Sequence, residues 1–349
     1  MKNFFKNKNI LVTGHTGFKG AWLSMILLSM GARVSGISLK PQNKRGNLYK
    51  IFKLKSSMKS YYVDLRNINK LNNTIKKVNP DMIFHLAAQP YVLRSYENPI
   101  ETISSNIMGL ANLLEACRGL KKIKAILNVT TDKCYENLEQ NIPFKESDRL
   151  GGKDIYSASK ACSEIISKSY FQSFFQDLDI NLSTARAGNI IGGGDFGEDR
   201  IVPDLIESVE KSKFLNVRSP NSVRPWQHVF DVLNGYMILM KRSFNRRSSF
   251  ESFNFSPKSR QVVKVKNVVD LLSSQLNFKK IKYKKIKTKK ESIILRLNPN
   301  NAKQILKWEC KYNINECIKK TASWYSAYLR KEDMILYSKK EINDFFNLT

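Results

Sequence analysis

The sequence predicts an α/β fold: a doubly wound parallel sheet with a smaller, interleaved C-terminal lobe. Two observations predict it. Through the first half of the chain, short β-rich runs alternate with longer segments whose apolar residues recur at helical spacing. That alternation implies parallel strands joined by right-handed crossovers. Past about residue 187 the alternation stops, which marks the second lobe. In a sheet of this kind ligands bind beyond the carboxyl ends of the strands. The polar motifs of the chain fall at those ends.

The elements follow in order. Asn9–Thr13 (NILVT) reads as the first strand, ending in a glycine-rich turn, and 17–30 as an apolar helix. Arg33–Ser38 (RVSGIS) is the second strand, and 61–63 the third, ending at Asp64. Ile68–Val78 is a helix, 81–85 (DMIFH) the fourth strand, and 100–117 a long helix. The fifth strand is 123–129 (IKAILNV), followed by a helix over 154–175 and a sixth strand at 180–185. A Gly/Asp-rich loop at 192–197 leads to a helix near 202–211, and the last regular helix is Ile314–Leu329. Residues from 331 onward read as a polar tail that docks loosely.

The 349 residues suffice for a large domain carrying a smaller one, and 42% apolar content supports a sizeable core. Lys and Arg outnumber Asp and Glu 59 to 30, a net charge of +29. Such a chain attracts polyanions. The excess lies in scattered pairs such as Lys279-Lys280, Lys284-Lys285 and Lys289-Lys290. Neither interleaved aromatics nor a helix-turn-helix pattern accompanies them, so specific nucleic-acid binding is not expected. Five scattered cysteines without a C-x-x-C pair point to reduced thiols. His15, His85 and His228 are too dispersed for metal-ligand spacing, so no metal is expected. MKNFFKNKN lacks the apolar core of a leader, and 21–30 is too short to span a membrane. The expectation is a soluble, cytoplasmic protein.

The first strand runs into T-G-H-T-G-F-K-G, with glycines at 14, 17 and 20. Gly14 makes the tight turn, Gly17 admits a pyrophosphate, and Gly20 lets the helix pack close to the strand. The helix N-terminus then faces the phosphates. A glycine triplet alone is common; between a strand and a helix it reads as a dinucleotide site of Rossmann type. The second strand ends Ile37-Ser38-Leu39-Lys40, without the usual ribose-binding acid. Lys40 and Arg45 could suit a 2′-phosphate, so the residues alone leave NAD and NADP both open. Asp64 is placed either to bond the adenine or to cap the next helix. The expected units are a dinucleotide-binding domain over 1–186, rejoined by part of 223–255, and a substrate-binding lobe over 187–222 and 256–330. The tail, 331–349, completes the chain.

Tyr156 and Lys160 stand four apart in Y-S-A-S-K, on one helix face. A lysine charge near a phenol favours the phenolate, which can take a proton from a sugar hydroxyl as hydride leaves. The pattern gains weight from Thr130-Thr131-Asp132-Lys133 at the end of the fifth strand. Thr131 can bond the reacting hydroxyl, and Asp132 and Lys133 form an acid and base pair beside it. To act as base, Lys133 must shed its proton, which burial or the Lys160 charge would have to favour.

At these residues the chain resembles the extended short-chain dehydrogenase/reductase superfamily and, within it, the CDP-glucose 4,6-dehydratase group. The resemblance covers roughly residues 8 to 325. It is carried by TGHTGFKGAWL (13–23), HLAAQPYVLRSY (85–96), TTDKCYEN (130–137), YSASK (156–160), RAGNIIGGGDF (186–196) and SVRPWQHV (222–229). Dehydratases for dTDP-glucose or GDP-mannose carry Asp-Glu where this chain has Asp132-Lys133. His15, and Trp226-Gln227 after Arg224, also fit the CDP-glucose group.

The resemblance implies roles. Thr131, Tyr156 and Lys160 match the superfamily triad, Asp132 the dehydratase acid, and Lys133 the position of the base. The cofactor, NAD by resemblance, would contact Gly14, His15, Thr16, Gly17, Phe18 and Gly20 in the turn. Further contacts would come from Asp64 and Leu65, then Ala87, Ala88 and Gln89, then Asn106, Tyr156 and Lys160. Gln89, Asn189, Arg200 and Arg224 match positions that hold the sugar nucleotide, the two arginines suiting a diphosphate. Ion pairing of these arginines with Asp199 or Asp231 is the plainer reading.

The implied reaction oxidises C4 of the sugar, expels the C6 hydroxyl after C5 deprotonation, and returns hydride to C6. Its product would serve deoxysugar biosynthesis, such as the O-antigen of lipopolysaccharide. A homodimer is expected through helices such as 100–117 and 154–175. The rivals are another nucleotide-sugar 4,6-dehydratase, a 4-epimerase, and a nucleotide-binding protein without catalysis. An epimerase needs no pair to expel the C6 hydroxyl, so Asp132-Lys133 discriminates against it.

Overall fold

The computed structural model describes residues 1–41, 46–139, 142–257, 262–284 and 295–348. Arg45, Lys285, Lys289 and Lys290 lie outside them. Seven parallel strands form the central sheet: β1 (Asn9–Thr13), β2 (Arg33–Ser38), β3 (Lys59–Tyr62), β4 (Met82–His85), β5 (Ala125–Val129), β6 (Asn181–Ala187) and β7 (Phe250–Phe255). Their order is β7-β6-β5-β4-β1-β2-β3. The chain starts in the middle, builds to one edge, then crosses back over β1. That reversal beside β1 and β4 opens a crevice at their carboxyl ends.

The central strands are apolar on both sides because helices cover both faces. Ile10 and Val12 of β1 face one core and Leu11 the other. Met82 and Phe84 against Ile83 in β4 repeat the pattern, as do Leu127 and Val129 against Ile126 in β5. One face carries α1 (Phe18–Ser29). The other carries α2 (Ile68–Val78), α3 (Gly109–Arg118) and part of α4 (Ile155–Tyr170). Pro99–Ile103, a wide π turn at Ser104–Met108, and α3 run on as one helical rod. Such turns widen the backbone spiral and redirect side chains; this one carries Asn106.

Beyond β6 come α5 (Ile201–Glu210), then α6 (Val229–Phe244), which leads into β7 beside β6. Three two-stranded pieces build the remaining lobe. Ile190–Ile191 pairs with Gln227–His228, Leu215–Val217 with Ile281–Tyr283, and Val223–Pro225 with Val262–Lys264. α7 (Ile314–Leu329) closes against it, opened by a capping box between Asn313 and Glu316.

The tail departs from expectation. Asp333 caps α8 (Met334–Phe346) through the N–H groups of Ile335 and Leu336, and Met334, Ile342 and Phe345 are buried in the main core. Its apolar residues recur at helical spacing among lysines, so a segment that reads as polar docks firmly. Among the described residues no helix is long and apolar enough to cross a membrane. The five cysteines are unpaired.

Candidate active site

The turn after β1 has the form its glycines require. Gly14 takes a φ of +74°, and a Cβ on Gly20 would lie 2.1 Å from the Gly14 carbonyl oxygen. No side chain caps α1 at Gly17, and no acid lies in its first turn. Its open N–H groups and the positive end of its dipole therefore offer an anion site. The Thr16 hydroxyl ties the turn to the end of β2, at 2.7 Å from Ser38 Oγ and 3.2 Å from the Leu39 carbonyl. A cavity of about 400 Å³ opens beside it. Gly14, Thr16, Gly17, Phe18 and Gly20 line it, and so do Lys40, Asp64, Leu65, Ala87, Ala88 and Gln89.

Two of the residues expected in this half, His15 and Asn106, do not line the cavity, while Gln89 and Asp64 line it with their side chains tied to neighbours. His15 is fully buried beneath the turn, packed into the space that Gly36 leaves open in β2, rather than in the cavity wall. Asn106 is buried too: its Oδ1 accepts from the Gln89 N–H at 2.7 Å, and its Nδ2 donates to the Gln89 carbonyl and Ser159 Oγ. It shapes the loop after β4. The Gln89 amide is used internally as well, donating to Thr102 Oγ1 at 2.8 Å and the Tyr91 carbonyl at 3.0 Å while accepting from the Tyr91 N–H. Asp64 does not cap α2, because Asn67 does; Asp64 pairs with Arg66 at 2.6 Å, which holds its carboxyl below the usual range.

The second cavity, about 350 Å³, lies past the ends of β5 and β6. Thr131, Asp132, Lys133, Tyr156, Lys160, Asn189, Arg200 and Arg224 all line it. Thr131–Lys133 leave β5 in a tight turn, so their side chains stay close. Thr131 Oγ1 donates to Asp132 Oδ1 at 3.0 Å, and Lys133 Nζ stands 3.5 Å from the same oxygen. Asp132 is 1% exposed, and its Oδ2 has no hydrogen-bond partner among the described residues. α4 starts at an Asp154 cap, which fixes Tyr156 in the first turn with its phenol against Thr131.

Burial pushes Tyr156 up to about 12, and the Asp132 charge adds to it; the Thr131 hydrogen bond and Arg200 oppose. Lys160 is not among the foremost charges acting on Tyr156. Lys160 Nζ donates to the Val129 carbonyl at 3.2 Å, and burial pulls Lys160 down to about 8. The ion pairs that stood as the alternative to diphosphate binding also differ. Arg200 pairs with Asp195 at 2.9 Å, Asp199 with Arg218, and Asp231 accepts from the N–H groups of Lys311 and Tyr312. Arg224 is buried, its Nη1 donating to the Val223 carbonyl.

The chain matches the family model described as GDP-mannose 4,6 dehydratase over residues 11–321. It is 38% identical to the CDP-glucose 4,6-dehydratase of Salmonella typhimurium, across 100% of this chain and 99% of that protein. The chain belongs to this dehydratase family. Solved structures share its fold. The UDP-glucose 4-epimerase of Thermotoga maritima, solved with UDP-glucose, superposes with a TM-score of 0.79 at 22% identity, covering 92% of this chain and 99% of that one. The dTDP-glucose 4,6-dehydratase of Bacillus anthracis, in complex with NAD, gives 0.77 at 22%, covering 93% and 99%.

The dehydratase chain also places residues in the site that the motifs did not single out. Lys19 and Asp195 line both cavities, at their junction. Loss of water contact, then the Lys160 and Arg200 charges, pull Lys19 down to about 7. Its signal was a lysine inside the glycine turn, where the glycine spacing draws the reading. Asp195 sits in the quoted run GGGDF, but its partner Arg200 shows only in three dimensions.

Proposed function

We propose that this dehydratase converts CDP-glucose to CDP-4-dehydro-6-deoxyglucose and water, with NAD bound throughout. The observation that carries the reading is the Asp132–Lys133 pair. A carboxylate with one open, buried oxygen and an amine 3.5 Å from its other oxygen share a cavity with Tyr156. Elimination of water needs an acid at C6 and a base at C5; epimerisation needs neither.

The bare first turn of α1 and the cradle around Gly14 and Gly20 fit a pyrophosphate. Gly17, Phe18, Asp64, Leu65, Ala87 and Ala88 would hold the cofactor, with Tyr156 and Lys160 at its reactive end. When bound, it supplies a hydride acceptor that gives the hydride back. NAD is favoured over NADP by family likeness, and the NAD complex of the Bacillus anthracis relative agrees with it. Lys40 on the cavity wall is the feature that speaks for NADP.

Tyr156, aligned by Thr131, takes the C4 hydroxyl proton as that carbon is oxidised. The resulting ketone acidifies the C5 proton, which Lys133 removes while Asp132 protonates the departing C6 oxygen. The ion pair and the neutral acid–amine pair hold the same protons and differ only in which group carries the one between them; elimination uses the neutral form. Arg200 and Arg224 hold the diphosphate and Asn189 the sugar, so that the lobe over 187–222 and 256–330 supplies the substrate side together with Arg224 from the stretch 223–255. The cytosine preference draws on the 38% full-length identity to the Salmonella typhimurium enzyme.

Ile100, Ile103 and Met108 on the rod, with Ile155 and Ile165 on α4, are exposed apolar residues that suit a homodimer. Sedimentation of the free protein tests it, a monomer overturning it. Unpaired cysteines suit a cytoplasmic setting.

The deciding experiment is an incubation with NAD⁺ or NADP⁺ and CDP-, dTDP-, GDP- and UDP-hexoses in parallel, read by mass spectrometry. Water loss from CDP-glucose alone is expected. Loss from another sugar nucleotide overturns the specificity. Unchanged mass with altered stereochemistry by NMR points to an epimerase, and no change at all to a binding protein.

A further inference from the structure

We propose that Glu164, clasped by Arg186, is a positioning residue of the dehydration site: it locks α4 onto the ends of β5 and β6 and keeps a negative charge one helical turn from Lys160. This rests on the dehydratase reading above.

Glu164 and Arg186 are 2% and 3% exposed. The Glu164 carboxylate accepts from the hydroxyl of Thr130, from Thr184 Oγ1 at 2.6 Å and from Arg186 Nη2 at 2.8 Å. Thr130 directly precedes Thr131 and follows Val129, whose carbonyl receives the Lys160 ammonium. One side chain of the catalytic helix thus grips both strands from which the reacting loops depart. Arg186 extends the grip: its Nη1 donates to the Tyr135 hydroxyl at 2.7 Å and the Glu146 carbonyl at 3.0 Å, and Tyr135 donates to Asn254 in β7. A buried ion pair is often no more stabilising than an apolar pair of the same shape. Its value here is geometric and electrostatic.

The charged and titratable groups packed around Lys160 come from several elements. They are Lys19 from α1, His85 from β4, Cys134 after β5 and Glu164 on α4 itself, with Arg186 from β6 behind Glu164. Glu164 is the foremost of them in holding the proton on Lys160, against the burial that removes it. Without it, Lys160 would lose its proton at lower pH.

The test compares wild type, E164Q and E164D in kcat, KM and the pH dependence of kcat on CDP-glucose. The Lys160 midpoint is followed separately by NMR of ¹³C-labelled lysine in the cofactor-free protein, its signal assigned by K160M. E164Q is expected to lose about tenfold to a hundredfold in kcat with little change in KM. Its Lys160 midpoint should fall by about one pH unit, and E164D should restore the midpoint. A folded E164Q with an unmoved midpoint overturns the proposal. So does a kcat loss without any shift of the alkaline limb, which a merely structural role would give. If E164Q does not fold, Thr184→Val removes one bond to Glu164 while Arg186 still holds the carboxylate; a several-fold lower kcat is expected, and an unchanged kcat overturns the idea. Wild type inactive on CDP-glucose would sink the function reading, while the NMR midpoints still judge Glu164.

Discussion

The Lys160 ammonium donates to the main-chain carbonyl of Val129, at 3.2 Å, inside a site where burial pulls Lys160 down to about 8. The charge is therefore held at a cost to stability. The fall from 10.5 to about 8 corresponds to on the order of 3 kcal/mol. The sign follows from proton counting. Between about 8 and 10.5 the unfolded chain binds a proton that the folded one does not, so stability rises with pH across that window. Lys160→Met should remove this dependence. Thermal unfolding near neutral pH should show the variant more stable than wild type, with the gap closing above 10.5. Turnover should fall by about a hundredfold or more. A variant both slower and less stable at neutral pH would show that the Val129 bond outweighs the buried charge.

Asp132→Asn separates oxidation from elimination. An amide keeps the shape and can still accept from Thr131, but it cannot protonate the C6 oxygen. Rapid mixing should show C4 oxidation largely intact and reduced nicotinamide accumulating, with overall kcat down about 10²–10⁴-fold. Lys133→Ala should likewise slow elimination more than oxidation. Equal slowing of both steps in both variants would move these residues out of the acid and base roles.

Periodicity made the sheet legible. Alternating apolar runs place β1, β2, β4, β5 and β6 within a few residues, and the motifs fall at their carboxyl ends as the topology demands. The site was legible where chemistry and local spacing coincide: Thr131 to Lys133 are consecutive, and Tyr156 and Lys160 share a helix face. It was illegible where a polar group spends its bonds on the fold. Gln89 and Asn106 look like ligand contacts in sequence, yet their amides are taken up by the loop after β4. Arg200 has four acids within five residues in sequence, Asp195, Glu198, Asp199 and Asp204, and only the packed chain shows that Asp195 is its partner. Glu164 and Arg186 meet because α4 packs on β6, a relation that no local pattern encodes.

Gly36 and His15 are a matched pair. A Cβ on Gly36 would stand 2.2 Å from His15 Cγ, and the ring packs edge-on against Tyr49 at 5.2 Å. Gly36→Ala should therefore cost about 1–3 kcal/mol by overpacking. His15→Ala opens the space, so the double variant should be more stable than the sum of the single losses predicts, with a coupling of about 1–2 kcal/mol. Burial pulls His15 down to about 4, so the ring stays neutral in the folded chain through the physiological range. Its contribution is complete above 6.5 and is lost as pH falls toward about 4. Urea unfolding of the four proteins near neutral pH checks the coupling; additive losses would mean that the ring moves aside freely.

The C-terminal helix makes the firmest stability prediction. Phe345 is 3% exposed, its ring 5.5 Å from Phe230 and 5.2 Å from Tyr312, and its carbonyl accepts from Lys311 Nζ at 2.7 Å. Phe230 lies at the start of α6, just past the Trp226–His228 stretch of the substrate lobe. The helix thus braces a segment that reaches the cavity through Trp226. Phe345→Ala should cost about 3–5 kcal/mol by leaving a cavity. Leu336→Ala, on the same helix but 69% exposed, should change stability by less than about 0.5 kcal/mol. Thermal unfolding of the pair separates burial from mere membership of the helix. Because Phe345 lies outside the cavity, kcat of the Phe345→Ala protein at a temperature where it remains folded should stay within about twofold of wild type; a larger fall would mean that the brace sets the geometry around Trp226 as well as the stability of the fold.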